Sequence, residues 1–224
     1  MSGTLALVGG GEWNPGCDFD AELLATSGGT EVLVLPTAAA FEQPEKCVEH
    51  ATAWFASLGA TVNGLHVLKR PEALDPANVD AVRAARFVYL AGGSPLHLRS
   101  VLKETPLWDA LVVAFANGAV VAGSSAGAMV LGDPMIDPRG GAFTVGLGLI
   151  GNLAVLPHAE DDVEVRHKRT FELAAADLVL ASIPERSALV RAPDGVWRTA
   201  GEKESTVWIG GEQRGLGVLP DLPI

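Results

Sequence analysis

The sequence has no apolar run long enough to cross a membrane, no C-x-x-C pair, no H-E-x-x-H and no block of basic residues. Each absence removes a class of function. A spanning helix needs about 20 consecutive apolar residues, so none is expected. Cys17 and Cys47 stand far apart and suggest no disulfide framework; they read as reduced thiols. The histidines, at His50, His66, His97, His158 and His167, show no ligand spacing, so neither a metal nor a cofactor is expected. A formal net charge of −11 argues against an extended nucleic-acid or anionic-membrane surface. Met1-Ser2-Gly3-Thr4-Leu5 offers no basic start followed by a long apolar stretch. A signal peptide is therefore not expected, and a cytoplasmic location is. No Pro/Ser-rich linker, charge run or repeat interrupts the chain. Its 224 residues, 48% of them hydrophobic, suit a single α/β domain over 1–224.

What is present alternates. Short apolar runs at 4–8, 31–35, 61–68, 87–91 and 118–123 read as buried strands. Between them, 18–26, 44–58, 78–85, 96–103 and 106–117 carry helical spacing or helix signals. Such alternation predicts an α/β fold, a mostly parallel sheet flanked by helices on both faces. Sites in such sheets lie beyond the carboxyl ends of the strands. Farther on, 133–148 is rich in Gly, Pro and Asp and reads as a long loop or short strands. A strand at 153–156 ends in Pro157-His158, and one at 178–183 ends in Pro184-Glu185. Between those two, 161–176 reads as a charged amphipathic helix. The segments 188–190, 196–198, 206–209 and 216–218 look like short antiparallel strands.

The stretch Gly118-Ala119-Val120-Val121-Ala122-Gly123-Ser124-Ser125-Ala126-Gly127 combines a buried strand with a G-x-S-x-G turn, and small helix-forming residues follow. That is the context of a nucleophile elbow, in which a sharp bend lifts the Ser125 hydroxyl clear of the sheet. The plain alternative is an ordinary strand-to-helix turn in a chain with 26 glycines. A serine nucleophile needs a base and a group that orients the base. His158 and Glu185 each sit just past a strand, where a parallel sheet places its site. A polar residue closing a strand and a loop glutamate are their ordinary readings. Asp133 and Asp137, nearer to Ser125 in sequence, are rival acids. At Gly92-Gly93 the backbone can approach a substrate carbonyl closely. The Gly93 and Ala126 N–H groups are the candidate oxyanion donors.

Taken together, Gly9-Gly10-Gly11-Glu12, Pro36-Thr37-Ala38, Phe87 to Gly93, Gly118 to Ala128, Gly146-Leu147-Gly148-Leu149, Pro157-His158 and Ile183-Pro184-Glu185 resemble the peptidase E/cyanophycinase family of serine hydrolases. The resemblance runs from Leu5 to about Leu189 and implies a fold like that of class I glutamine amidotransferases. It maps the nucleophile to Ser125, the base to His158 and the supporting carboxylate to Glu185; Asp133 and Asp137 stay open because the alignment is gapped there. Cyanophycinases typically carry Gly-Gly-Asp-Gln at the oxyanion turn and Asp-Gln-His-Phe at the base. Peptidase E enzymes carry Gly-Gly-Asn and Asn-Pro-His-Phe. This chain has Gly92-Gly93-Ser94-Pro95 and Leu156-Pro157-His158-Ala159, so the base region leans to peptidase E. In that group an arginine after the base recognises the aspartate of an aspartyl dipeptide. Arg166 is the nearest match, with Ser94 as a second substrate contact; Arg166 and Arg169 also read as solvated helix charges. The resemblance thus implies a serine peptidase acting on short peptides, aspartyl dipeptides in the first place, and assembled as a homodimer. Two alternatives are a cyanophycinase-like hydrolase of β-aspartyl-arginine bonds and a non-catalytic amidotransferase-like binding module.

Overall fold

The computed structural model describes residues 2–159 and 163–221, apart from the side chains of Glu164 and Arg166. The leading strands are β1 (Leu5–Val8), β2 (Glu31–Leu35), β3 (Thr61–Gly64), β4 (Phe87–Leu90) and β5 (Val120–Ser124). The shorter β6 (Gly132–Asp133), β7 (Met135–Ile136), β8 (Phe143–Thr144) and β9 (Ile150–Gly151) follow the elbow. The chain continues with β10 (Leu153–Leu156), β11 (Val179–Ser182), β12 (Ser187–Arg191), β13 (Trp197–Gly201), β14 (Thr206–Ile209) and β15 (Glu212–Arg214).

These strands divide between sheets. Seven form a central sheet in the order β13-β12-β1-β5-β4-β2-β3, parallel from β1 to β3 and antiparallel where β12 and β13 join. A six-stranded sheet follows the order β15-β14-β11-β10-β6-β9. In it β10 and β11 run parallel, while β14 and β15 close the edge antiparallel. The strands leading to His158 and Glu185 therefore belong to a different sheet from the strand leading to Ser125.

The central strands are apolar on both faces, as a covered parallel sheet requires. Alternate residues serve opposite cores. Ala6, Val8, Val32, Val34, Phe87, Tyr89, Val120 and Ala122 face one layer. That layer holds α1 (Phe19–Ser27) and α2 (Pro44–Ser57), where Phe55 meets Phe87 and Tyr89 edge-on with centroids 5.9 and 6.3 Å away. Leu5, Leu7, Leu33, Leu35, Val88, Leu90 and Val121 face the other layer. It contains α3 (Pro76–Ala84), α4 (Pro95–Leu102), α5 (Pro106–Ala116) and α6 (Ala126–Leu131). The same core continues into Leu153, Val155, Leu178 and Leu180, so one apolar cluster joins both sheets. Each fully buried large side chain there contributes about 1.5–3 kcal/mol.

Three helices begin alike. Asp75, Ser94 and Thr105 are N-caps whose side chains accept from the N–H of Ala77, His97 and Trp108, and proline follows each cap. The cap satisfies an orphan amide, and proline needs no donor at that position.

Some expectations change. The helix predicted over 161–176 is two short pieces, α7 (Val163–Arg166) and α8 (Lys168–Leu173), broken at His167. Val163 and Thr170 are buried, and most of the described surface around them is exposed, so little apolar area supports a long helix. The start of that prediction, 161–162, lies outside the described residues. At 216–218 the chain forms a 3-10 turn instead of a strand. The third strand stops at Gly64, four residues earlier than its apolar pattern implied.

Candidate active site

The elbow is built by close approach. A Cβ on Gly123 would lie 2.5 Å from the Gly127 carbonyl carbon, so the last strand residues can pass under the first turn of α6 only without a side chain. Between them Ser125 takes φ 47° and ψ −106°, a conformation that non-glycine residues seldom adopt. Its N–H donates to the Val8 carbonyl at 2.9 Å, and its own carbonyl accepts from Met129 N–H at 2.9 Å. The strained turn is thus held from β1 and from α6, which is how backbone strain persists at a site.

Ser125 Oγ lies 2.8 Å from His158 Nε2. His158 Nδ1 lies 3.0 Å from Glu185 Oε1. An imidazole with Nδ1–H donating to the carboxylate leaves Nε2 as the acceptor for the serine hydroxyl, the arrangement a general base needs. The N–H groups of Gly93 and Ala126 have no hydrogen-bond acceptor among the described residues.

One loop organises all three side chains. After β1 the run Gly9-Gly10-Gly11 threads between the elbow, His158 and Glu185. Gly9 carbonyl accepts from His158 N–H at 2.8 Å, Gly10 carbonyl accepts from Arg186 N–H at 2.7 Å, and Gly9 N–H donates to Ser187 carbonyl at 3.0 Å. Gly10 has φ +119°, and a Cβ there would lie 2.3 Å from His158 Cε1. The imidazole therefore packs against bare backbone. His158 and Arg186 themselves take φ 53°.

Glu12 ends this loop. Its Oε1 accepts from Gly92 N–H at 3.1 Å and its Oε2 from the Ser124 hydroxyl at 2.7 Å. Sequence reasoning noted the Gly-Gly-Gly-Glu run and gave the glutamate no task. Glu12 also borders a pocket of about 480 Å³ shared with Trp13, Lys46, Cys47, His50 and Gly92. On α1, burial pushes Asp20 up to about 8, opposed by the Trp54 indole N–H that donates to Oδ2 at 2.9 Å. Burial also pushes the Cys17 thiol to about 11 and the Cys47 thiol to about 12. Both are free thiols and poor nucleophiles at neutral pH.

The other sequence candidates are placed as follows. Asp133 Oδ1 accepts from Gly146 N–H at 2.8 Å, and Asp137 is paired with Arg139 at 2.6 Å. Hydrogen bonds from Arg139 hold the Asp137 carboxyl at about 2. Of the three candidate acids, Glu185 is the one brought to His158. Ser94 Oγ accepts from His97 N–H as the cap of α4. Arg166 closes α7, and its side chain lies outside the described residues; Arg169 is exposed on α8. Among the described residues no group of His, Cys, Asp and Glu could hold a metal, and no helix is long and apolar enough to cross a membrane.

The model of peptidase family S51 matches residues 5–197. The chain belongs to peptidase family S51. The S51 chain is 28% identical over 189 residues to peptidase E of Citrobacter koseri, spanning 80% of this chain and 77% of that one. It is 28% identical over 164 residues to a cyanophycinase of a Nostoc species, spanning 68% of this chain and 55% of that one. The crystal structure of a peptidase from an acI-B1 Actinobacterium superposes with a TM-score of 0.82 at 31% identity, covering 96% of this chain and 93% of that one. Membership makes this S51 protein a serine peptidase, in agreement with the α/β architecture and with the resemblance read from its motifs.

Proposed function

We propose that the protein hydrolyses short peptides, aspartyl dipeptides in the first place, through Ser125, His158 and Glu185. The observation that carries this reading is the unbroken chain from Ser125 Oγ through His158 to Glu185, with contacts of 2.8 and 3.0 Å. Ser125 Oγ attacks the scissile carbonyl as His158 Nε2 takes its proton. Glu185 accepts the hydrogen bond from Nδ1–H and favours the imidazolium that forms. The oxyanion accepts from Gly93 and Ala126 N–H. Collapse expels the amine, which receives the proton from Nε2 and leaves an acyl-enzyme. Water, deprotonated by the same nitrogen, then releases the acid and restores the serine.

Arg166 is our choice for the aspartyl side chain, because a guanidinium binds a carboxylate through two parallel hydrogen bonds. A panel of Asp-X, β-Asp-Arg and neutral X-Ala dipeptides tests the substrate reading. Preferred cleavage of Asp-X supports it, and preferred cleavage of β-Asp-Arg supports the second reading, a cyanophycinase-like hydrolase. That second reading draws on the similarity to the Nostoc cyanophycinase. Loss of the Asp-X over Asn-X preference in Arg166→Ala supports the arginine's role. An unchanged ratio refutes it.

A further inference from the structure

We propose that Glu12 is a positioning residue of the hydrolytic reaction, holding the Gly92-Gly93 turn against the elbow so that the Gly93 and Ala126 amides converge on one oxygen. The proposal rests on the reading of Ser125 as the nucleophile. Gly93 and Ala126 come from loops that follow different strands, β4 and β5. Those strands pair as far as Leu90 and Gly123, and beyond that point sheet hydrogen bonds no longer fix the spacing of the loops. Glu12 takes over there. One carboxylate oxygen accepts from Gly92 N–H, directly before Gly93, and the other accepts from the hydroxyl of Ser124, directly before Ser125. Fixing Gly92 N–H places the planar peptide unit before Gly92 and leaves only the Gly92 φ and ψ to aim the Gly93 amide. Ser124 is fully buried, and its hydroxyl is satisfied by this carboxylate.

Glu12 is itself held. Asn14 Nδ2 donates to the carbonyls of Gly11 and Glu12 at 3.3 and 3.0 Å. Trp13, next in the chain, is buried with its ring 5.1 Å from Tyr89 and 6.0 Å from His50. A carboxylate beside a developing oxyanion opposes it electrostatically, so the benefit must be geometric: two acceptor oxygens at a fixed span. Both hydrogen bonds are charge-assisted and stronger than neutral ones. Glutamine keeps one acceptor and loses the other, so it should replace Glu12 only in part.

The test uses the whole protein and a fluorophosphonate probe, whose phosphoryl oxygen must seat between the same amides when Ser125 is labelled. Labelling separates the maximal rate, kinact, from the half-saturating concentration, KI, and needs no knowledge of the natural substrate. Loss of an oxyanion donor costs on the order of 10²–10³ in rate. Glu12→Ala keeps both donors and loses their placement, so kinact should fall by roughly 10- to 100-fold with KI little changed. Ser124→Ala should show a smaller fall of the same kind, and Glu12→Gln should lie between Glu12→Ala and the wild type. Thermal unfolding of each variant reports whether it folds. Wild-type kinact in a folded Glu12→Ala protein overturns the proposal. So does a fall in Glu12→Ala that comes with lost thermal stability while Ser124→Ala and Glu12→Gln label at the wild-type rate. Ser125→Ala is the separate control: if it still labels, the nucleophile assignment fails and the Glu12 result has no bearing on it.

Discussion

The two halves of the site are held in different ways. Ser125 stands where β5 enters α6, and every residue from Val120 to Leu131 except Ser125 itself is buried. Packing locates the proposed nucleophile. The His158 and Glu185 side chains are 49% and 57% exposed, on loops that leave the second sheet. A few backbone hydrogen bonds to the glycine loop locate His158 and Glu185. Yet both halves use positive φ, at Ser125, His158 and Arg186. The lesson is that strain can be held either by a core or by a hydrogen-bonded mount. The two should fail differently: the packed half when an atom is removed from its chemistry, the mounted half when its support is moved.

The strongest way to break the contrast is Ser125→Ala. It removes one hydroxyl from a turn that accepts small residues, so the fold should survive and turnover should fall by on the order of 10⁶-fold. Peptidase assays beside a melting curve check it; activity retained in a folded variant would overturn the assignment. Next is Gly10→Ala. Its Cβ meets the imidazole at 2.3 Å and its φ is unfavourable for alanine. Displacing the base by about 1 Å should lower the rate by roughly 10²-fold or more, with KM affected less. Unchanged kcat would show that His158 is not seated on this loop.

Glu185→Gln should cost less than the loss of a buried triad acid, which is about 10⁴-fold, because a half-exposed carboxylate is screened by water. We expect a fall of about 10²-fold, with Asp133→Asn near wild type. The reverse pattern in parallel rate measurements would move the acid to the loop after the elbow.

The smallest effect on activity is expected at Asp20, buried on α1. Its carboxyl is raised from 3.8 to about 8 by burial. Below the lower value both folded and unfolded chains hold the proton. Between the two, the unfolded chain releases it and the native state keeps it, so stability falls as pH rises through this window. Asp20→Asn keeps an acceptor for the Trp54 indole and removes the titration. It should melt several degrees higher than wild type near pH 8, with the gain shrinking toward pH 4, at nearly unchanged kcat. A variant that melts lower at pH 8 would show that the ionised carboxylate is stabilising after all.

Much of this was legible in the chain. The apolar runs ending in Gly-Gly, G-x-S-x-G, Pro-His and Pro-Glu carry a period, a stop and a chemical group, and local pattern suffices to read them. The division into two large sheets was not legible, because strand pairing is decided by partners far away in sequence. The broken helix at His167 shows the same limit: charge at helical spacing says nothing about how little core lies beneath it. Glu12 was missed for a further reason. Its role depends on Gly92 and Ser124, separated from it by 80 and 112 positions, and nothing local marks a carboxylate as a bridge.

The glycine loop after β1 also sets an order of assembly. Gly9 and Gly10, near the start of the chain, are hydrogen-bonded to His158, Arg186 and Ser187, and Val8 to Ser125. A growing chain can pack β1 through β5 around the elbow long before it has made the partners of Gly9 and Gly10. The cluster of Ser125, His158 and Glu185 is therefore complete only when the segment from Ser182 to Ser187 has been made and folded back onto the first loop. The opening residues act as a socket that waits for a distant stretch of the chain, so an unfinished chain holds Ser125 in its elbow without His158 and Glu185 beside it.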